Sequence, residues 1–124
     1  MSHTVLAISD DALNRAILGG MPGLEVRAIG SAEAVAETRR SPGASILVDI
    51  DWVPDPLALL AQLALAGNGT LAAIGTGLWP GSAAAATVRR AGADICLAKP
   101  AGRAALFAAT AEGAAAIRAA LGAA

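Results

Sequence analysis

Short apolar runs alternate along the chain with longer stretches in which apolar residues recur every three or four positions. The runs at 5–9, 24–29, 45–49, 71–75 and 94–98 are of strand length, and several are apolar at nearly every position. A strand covered on both faces reads this way, because each of its two side-chain rows meets a hydrophobic layer. Five strands are therefore expected, several of them buried as parallel strands are.

The stretches between them carry helix punctuation. Residues 11–18 place Leu13 and Ile17 four apart and stop at Gly19 and Gly20. Ser31 is the expected cap of a second helix, with Glu33 in its first turn and Arg39 and Arg40 in its last, the charge order that the helix dipole favours. Asp55 before Pro56 predicts a third start: the carboxylate accepts from free backbone N–H groups, proline fits the first helical position, and Gly67 ends the helix. Residues 80–90 give a fourth helix, closed by Gly92. Residues 102–121 give the fifth, with Leu106, Thr110, Ala114, Ile117 and Leu121 along one face. Thr110 and Gly113 are its poorest helix formers.

This (βα)5 order predicts an α/β three-layer sandwich: a five-stranded parallel sheet with helices on both faces, joined by right-handed crossovers. A chain of 124 residues has room for one domain, 1–124, with no linker and no internal repeat. In open sheets of this kind functional groups gather at the carboxyl ends of the strands.

Composition narrows the picture. Hydrophobic residues make up 56% of the chain, much of it alanine, so Leu, Ile, Val and Ala must build the core. A net charge of −1 with scattered arginines offers no basic stripe, and direct nucleic-acid binding is not expected. The longest strongly apolar stretch, 57–66, contains Gln62 and is shorter than the roughly 20 residues that span a bilayer, so no membrane residence is expected. Residues 1–3 carry no basic cluster and the run 5–8 is too short for a secretory leader, which predicts a cytoplasmic protein. Cys96 is the single cysteine; with His3 it builds neither a metal cluster nor a nucleophile pair.

The strand ends hold Ser9, Asp10 and Asp11 after the first strand, Asp49 and Asp51 at the third, Thr76 after the fourth, and Lys99 with Pro100 after the fifth. Carboxylates gathered in one crevice repel each other and require a cation or a proton. Mg²⁺ suits such a place, being hard, oxygen-seeking and content with one or two protein carboxylates. Lys99 is the only lysine beside eight arginines, which points to a need for a compact ammonium rather than for positive charge alone. An ammonium beside a carboxylate can neutralise a phosphoryl group carried by that carboxylate, and the Thr76 hydroxyl can donate to a phosphoryl oxygen. These are the parts of aspartyl-phosphate chemistry.

The segment AGADICLAKP at 91–100 resembles the stretch around the Lys-Pro pair of response-regulator receiver domains, the CheY-like superfamily of two-component signalling. The ILVDI segment at 46–50 resembles that family's third strand, and the element order extends the likeness over essentially the whole chain. The resemblance implies a flavodoxin-like receiver topology, Asp49 as phosphoacceptor, Asp10, Asp11 and Asp49 as Mg²⁺ carboxylates, Thr76 as the switch hydroxyl, and Lys99 as the phosphoryl partner, with a cis peptide before Pro100. It implies a histidine kinase or phosphotransfer protein as donor, a downstream protein on the fourth-helix face that carries Arg89 and Arg90, and a homodimer as one further assembly. It implies no enzyme beyond promotion of its own aspartyl phosphorylation and dephosphorylation. With no output domain expected after the fifth helix, the module is read as stand-alone.

The sequence departs from that pattern in several places. Ser9 stands where the first of two adjacent acids sits in the family. Pro54 follows Asp49 by five residues rather than four, with no glycine before Gly67. Cys96 replaces the switch aromatic, and Gly77 follows Thr76. A rival register makes Asp51 the acceptor and Asp49 a ligand, although the apolar run Ile46-Leu47-Val48 leads straight into Asp49; otherwise Asp51 is expected to be exposed, tuning access of water without binding anything. Asp10 and Asp11 also suit caps of the first helix, and Cys96 suits a small buried hydrophobe. Trp52 and Trp79 fit either partner anchors or covers for the sheet edge. Two other functions compete: a pseudo-receiver that is a phosphorylation-independent interaction module, and a nucleotide- or flavin-binding protein, for which the chain lacks a Gly-rich phosphate loop after the first strand.

Overall fold

Five strands, β1 (Thr4–Ile8), β2 (Glu25–Ile29), β3 (Ser45–Asp49), β4 (Leu71–Thr76) and β5 (Ile95–Lys99), pair in parallel in the order β2-β1-β3-β4-β5. The computed structural model describes residues 4–122; residues 1–3, His3 among them, and 123–124 lie outside the described residues. The strand order reverses direction between β1 and β3, so the crevice at their carboxyl ends is the topological switch point where doubly wound sheets bind ligands. Register sets the partners there: Asp49 lies beside Ile74, and Thr76 beside Lys99.

Helices α1 (Ala12–Gly19), α2 (Ser31–Arg40), α3 (Pro56–Ala66), α4 (Ala83–Ala91) and α5 (Ala111–Ala120) cover both faces. Side chains alternate across the sheet as a pleat requires. Leu6, Ile8, Ile46, Val48, Leu71 and Ala73 meet Ala34 of α2, Leu59, Leu60 and Leu63 of α3, and Val88 of α4. Val5, Ala7, Leu47, Ala72 and Ile74 meet Leu18 of α1, Phe107, and Ile117 of α5 on the other face. Each large side chain removed from water in these layers contributes roughly 1.5–3 kcal/mol. The three-layer α/β sandwich and its five-stranded parallel sheet are as the sequence predicted.

Helix starts differ from expectation where a neighbouring group outcompetes the expected cap. The fourth helix begins at Ala83 rather than at 80, because the Ser82 hydroxyl accepts from the Ala85 N–H while donating to the Gly77 carbonyl. Asp55 adopts a left-handed conformation (φ 43°) and its side chain makes no cap bond, so α3 starts on Pro56 alone. Gly30, not Ser31, is the residue preceding α2, and Ser31 is its first helical residue.

The predicted fifth helix is two elements, a 3₁₀ stretch Ala104–Ala109 and α5. Thr110 divides them: extended itself, it donates from Oγ1 to the Phe107 carbonyl and accepts from the Gly113 N–H. A Cβ at Gly113 would collide with that same carbonyl, so the turn depends on glycine. Among the described residues no peptide is cis, the Lys99–Pro100 bond included.

Candidate functional site

β3 ends at Asp49 and turns at once into a 3₁₀ turn, Ile50–Trp52. Asp49 caps that turn, its Oδ1 accepting from the Asp51 N–H at 3.2 Å. Gly75 makes the tight turn feasible, since a Cβ there would run into Ile50. The turn brings the exposed Asp51 over the end of β4.

Lys99, the last residue of β5, donates from Nζ to both Oδ1 and Oδ2 of Asp49, each at 2.7 Å. Both side chains are 2% exposed. Burial pushes the Asp49 carboxyl above its ordinary range, opposed by the hydrogen bond and charge of Lys99 and by the Asp51 N–H. Removing two charges from water can cost as much as their attraction returns, so such a pair is a poor stabilising device.

Asp51 completes the cluster. Its Oδ2 accepts from the Thr76 hydroxyl at 3.0 Å and the Thr76 N–H at 3.1 Å, and lies 3.1 Å from Lys99 Nζ. Asp51 is exposed as expected, but the expectation that it binds nothing is corrected: its side chain closes the outer side of the buried pair. The spacing of Asp49 and Asp51 ahead of a tight turn was the available signal for this contact, and sequence reasoning did not use it.

The acids after β1 are arranged differently. The Asp10 carboxylate accepts from the Ser31 N–H at 2.7 Å and the Ser31 hydroxyl at 2.6 Å, so it caps α2 from the neighbouring loop. Its own N–H donates to the Trp52 carbonyl at 2.8 Å and ties the two loops together. Asp11 caps α1, accepting from the Asn14 N–H at 2.9 Å. Ser9 is fully buried; its carbonyl accepts from the Arg15 guanidinium, a contact the sequence did not suggest.

Asp10, Asp11, Asp51, Trp52, Val53 and Pro54 line one depression open to solvent. Their carboxylates do not converge within it: Asp10 and Asp11 face helix N-termini, and both oxygens of Asp49 face Lys99. Among the described residues no group of three or more His, Cys, Asp or Glu side chains is placed to hold a metal ion. As arranged, Asp10 is engaged by Ser31 and both oxygens of Asp49 by Lys99, so a divalent ion held by one or two carboxylates would require Asp10 to exchange its hydrogen bonds.

The remaining candidates lie around the rim. Trp52 and Trp79 are 39% and 51% exposed, which favours solvent-facing positions over covers for the sheet edge. Cys96 is half-buried against α4, its Sγ donating to the Ala85 carbonyl at 3.8 Å; burial pushes the thiol pKa up, with Arg89 opposing, so it behaves as a small neutral side chain. The carbonyl of Pro100 accepts from the Arg103 N–H in the turn after β5.

No family model matches this sequence, and no curated protein matches it. Solved structures do. The response regulator domain of CheB from Thermotoga maritima is 19% identical with a TM-score of 0.70, the match covering 98% of each chain. The receiver domain of the sensor histidine kinase PA1611 from Pseudomonas aeruginosa, described with a magnesium ion coordinated in its active-site cleft, is 21% identical with a TM-score of 0.66, covering 98% of this chain and 99% of that one. A response regulator protein from Burkholderia pseudomallei, described with a phosphorylated aspartic acid, a calcium ion and citrate, is 24% identical with a TM-score of 0.58, covering 95% of this chain and 72% of that one. The chain therefore has the receiver fold, that of response-regulator domains.

Proposed function

We propose that this chain is a receiver module of two-component signalling in which Asp49 accepts a phosphoryl group. The observation that carries this reading is the buried Asp49 carboxylate with both oxygens on the Lys99 ammonium. A charged pair that adds little to stability yet is wholly removed from water, at the switch point of the sheet, has the character of a chemical site. A carboxylate oxygen of Asp49 attacks the phosphorus of a phosphohistidine. The O–P bond forms as the P–N bond breaks, the electron pair stays on the imidazole nitrogen, and the product is an acyl phosphate. Lys99 offsets the charge of the transferred group, and Thr76 supplies a hydroxyl and an N–H as donors.

A histidine kinase or phosphotransfer protein is the donor in this reading, and a protein bound at the α4 face is the recipient of the signal, in the cytoplasm. The module acts on no other substrate. The magnesium and calcium of the similar structures make a divalent ion the expected companion, but here Asp10 must first leave Ser31, and no step above runs through the ion. A second reading, a phosphorylation-independent pseudo-receiver, is favoured by the capping roles of Asp10 and Asp11 and by the hold of Asp51 on Thr76.

Incubation with a small phosphoramidate donor and Mg²⁺ separates the two. The intact mass is expected to gain one phosphoryl group, hydroxylamine-labile as an acyl phosphate is, and Asp49→Asn is expected to gain none. A folded wild-type protein that gains no mass under these conditions leaves the pseudo-receiver reading in its place.

A further inference from the structure

A phosphoryl group on Asp49 brings three strong acceptor oxygens and needs donors for them. The donors within reach are the Lys99 ammonium, the Thr76 hydroxyl and the Thr76 N–H. Each already has an acceptor in Asp51: Oδ2 lies 3.1 Å from Lys99 Nζ, 3.0 Å from Thr76 Oγ1 and 3.1 Å from Thr76 N. One carboxylate thus engages the whole set. It also carries the same sign of charge as the incoming group, so the two repel if both remain.

We infer that Asp51 is a built-in occupant of the phosphoryl-binding donors, a positioning residue that holds Thr76 and Lys99 closed and must swing out before Asp49 can carry a phosphoryl group. The inference rests on the reading of Asp49 as acceptor. A route out exists, because the Asp51 side chain is partly exposed and lines the depression bounded by Trp52, Val53 and Pro54. Two aspartates two residues apart therefore have opposite roles. Asp49 is fixed by burial and two short bonds to one ammonium, whereas Asp51 is held from the solvent side by longer bonds that can be exchanged. Such an occupant sets how strongly a donor must drive the site, and it gives the unphosphorylated protein an ordered Thr76.

Two measurements on the full chain test this, with Asp51→Ala and Asp51→Asn as variants. The first is the Thr76 amide proton by NMR, which is expected to be shifted downfield and slow to exchange in the wild type. It should lose both properties in Asp51→Ala and keep part of them in Asp51→Asn, whose amide oxygen still accepts. The second is beryllofluoride affinity, followed by Trp52 fluorescence with Mg²⁺ present. Asp51→Ala is expected to bind about tenfold more tightly than wild type, the scale of one charge-assisted hydrogen bond, with Asp51→Asn between them. A Thr76 amide indifferent to Asp51→Ala overturns the inference and leaves Asp49 untouched. So does binding of the anion by wild type and Asp51→Ala with equal affinity. Absence of anion binding in every variant, with the Thr76 response intact, removes Asp49 as acceptor and the competition with it.

Discussion

Two halves of one surface, the carboxyl ends of β1 and of β3 to β5, use the same residue type for different ends. On the β3 to β5 side, among the described residues, the side chains of Asp49, Asp51, Thr76 and Lys99 bond to one another across 25 and 50 residues of sequence, and the innermost pair is out of water. On the β1 side, Asp10 and Asp11 bond to the first turns of α2 and α1. The difference follows from what stands nearby. An aspartate beside free N–H groups becomes a cap, whereas an aspartate facing a buried ammonium becomes half of a desolvated ion pair. A carboxylate at a strand end therefore acquires its role from its partner, not from its position in the loop.

The contrast is broken or sharpened first by Lys99→Met. Removing the ammonium leaves Asp49 buried without its counter-charge, which is expected to cost about 3–5 kcal/mol in urea unfolding at neutral pH. Adding Asp49→Asn to that variant is expected to restore most of the loss, because the uncompensated charge goes with it. Loss of similar size in the single and double variants would mean that shape, not charge, holds this side together.

Smaller effects are expected across the crevice. Asp10→Ala removes two hydrogen bonds to Ser31 and Asp11→Ala removes one to Asn14. Each is expected to cost about 1 kcal/mol, the usual value of a helix cap. If Asp10→Ala proves as damaging as Lys99→Met, the two halves are not different in kind and the β1 acids do more than cap.

The strands were legible because a parallel strand covered on both faces needs apolar residues at every position, and Ile46-Leu47-Val48 has no other reading of comparable strength. Helix starts were less legible because several polar residues near each start can serve as cap, and the outcome depends on neighbours distant in sequence. Ser31 takes its partner from Asp10, 21 residues away. Thr110 was read as a weak helical position, yet its hydroxyl made it the boundary between two elements. The site was legible as a set of residues and not as a set of pairings. Asp49 and Lys99 meet as expected, but where Asp51 points depends on a three-residue turn that fits only because Gly75 has no side chain.

The pH dependence of stability gives the finest test of the contrast, because it reads the desolvation of Asp49 directly. Burial raises its folded-state pKa above the ordinary 3.8, so the folded protein holds the proton more tightly than the unfolded chain does. By linkage, stability from this group is fully present below the unfolded value and is lost as pH rises through the raised folded value. Asp49→Asn has no proton to release there. In urea unfolding from pH 3.8 upward, the wild type is therefore expected to lose stability relative to Asp49→Asn, by a slope of less than one proton, until the folded carboxyl is ionised and the two curves run parallel. A wild type that instead gains on Asp49→Asn as pH rises would show that Lys99 outweighs burial, and Asp49 would then behave as an ordinary salt-bridged carboxylate.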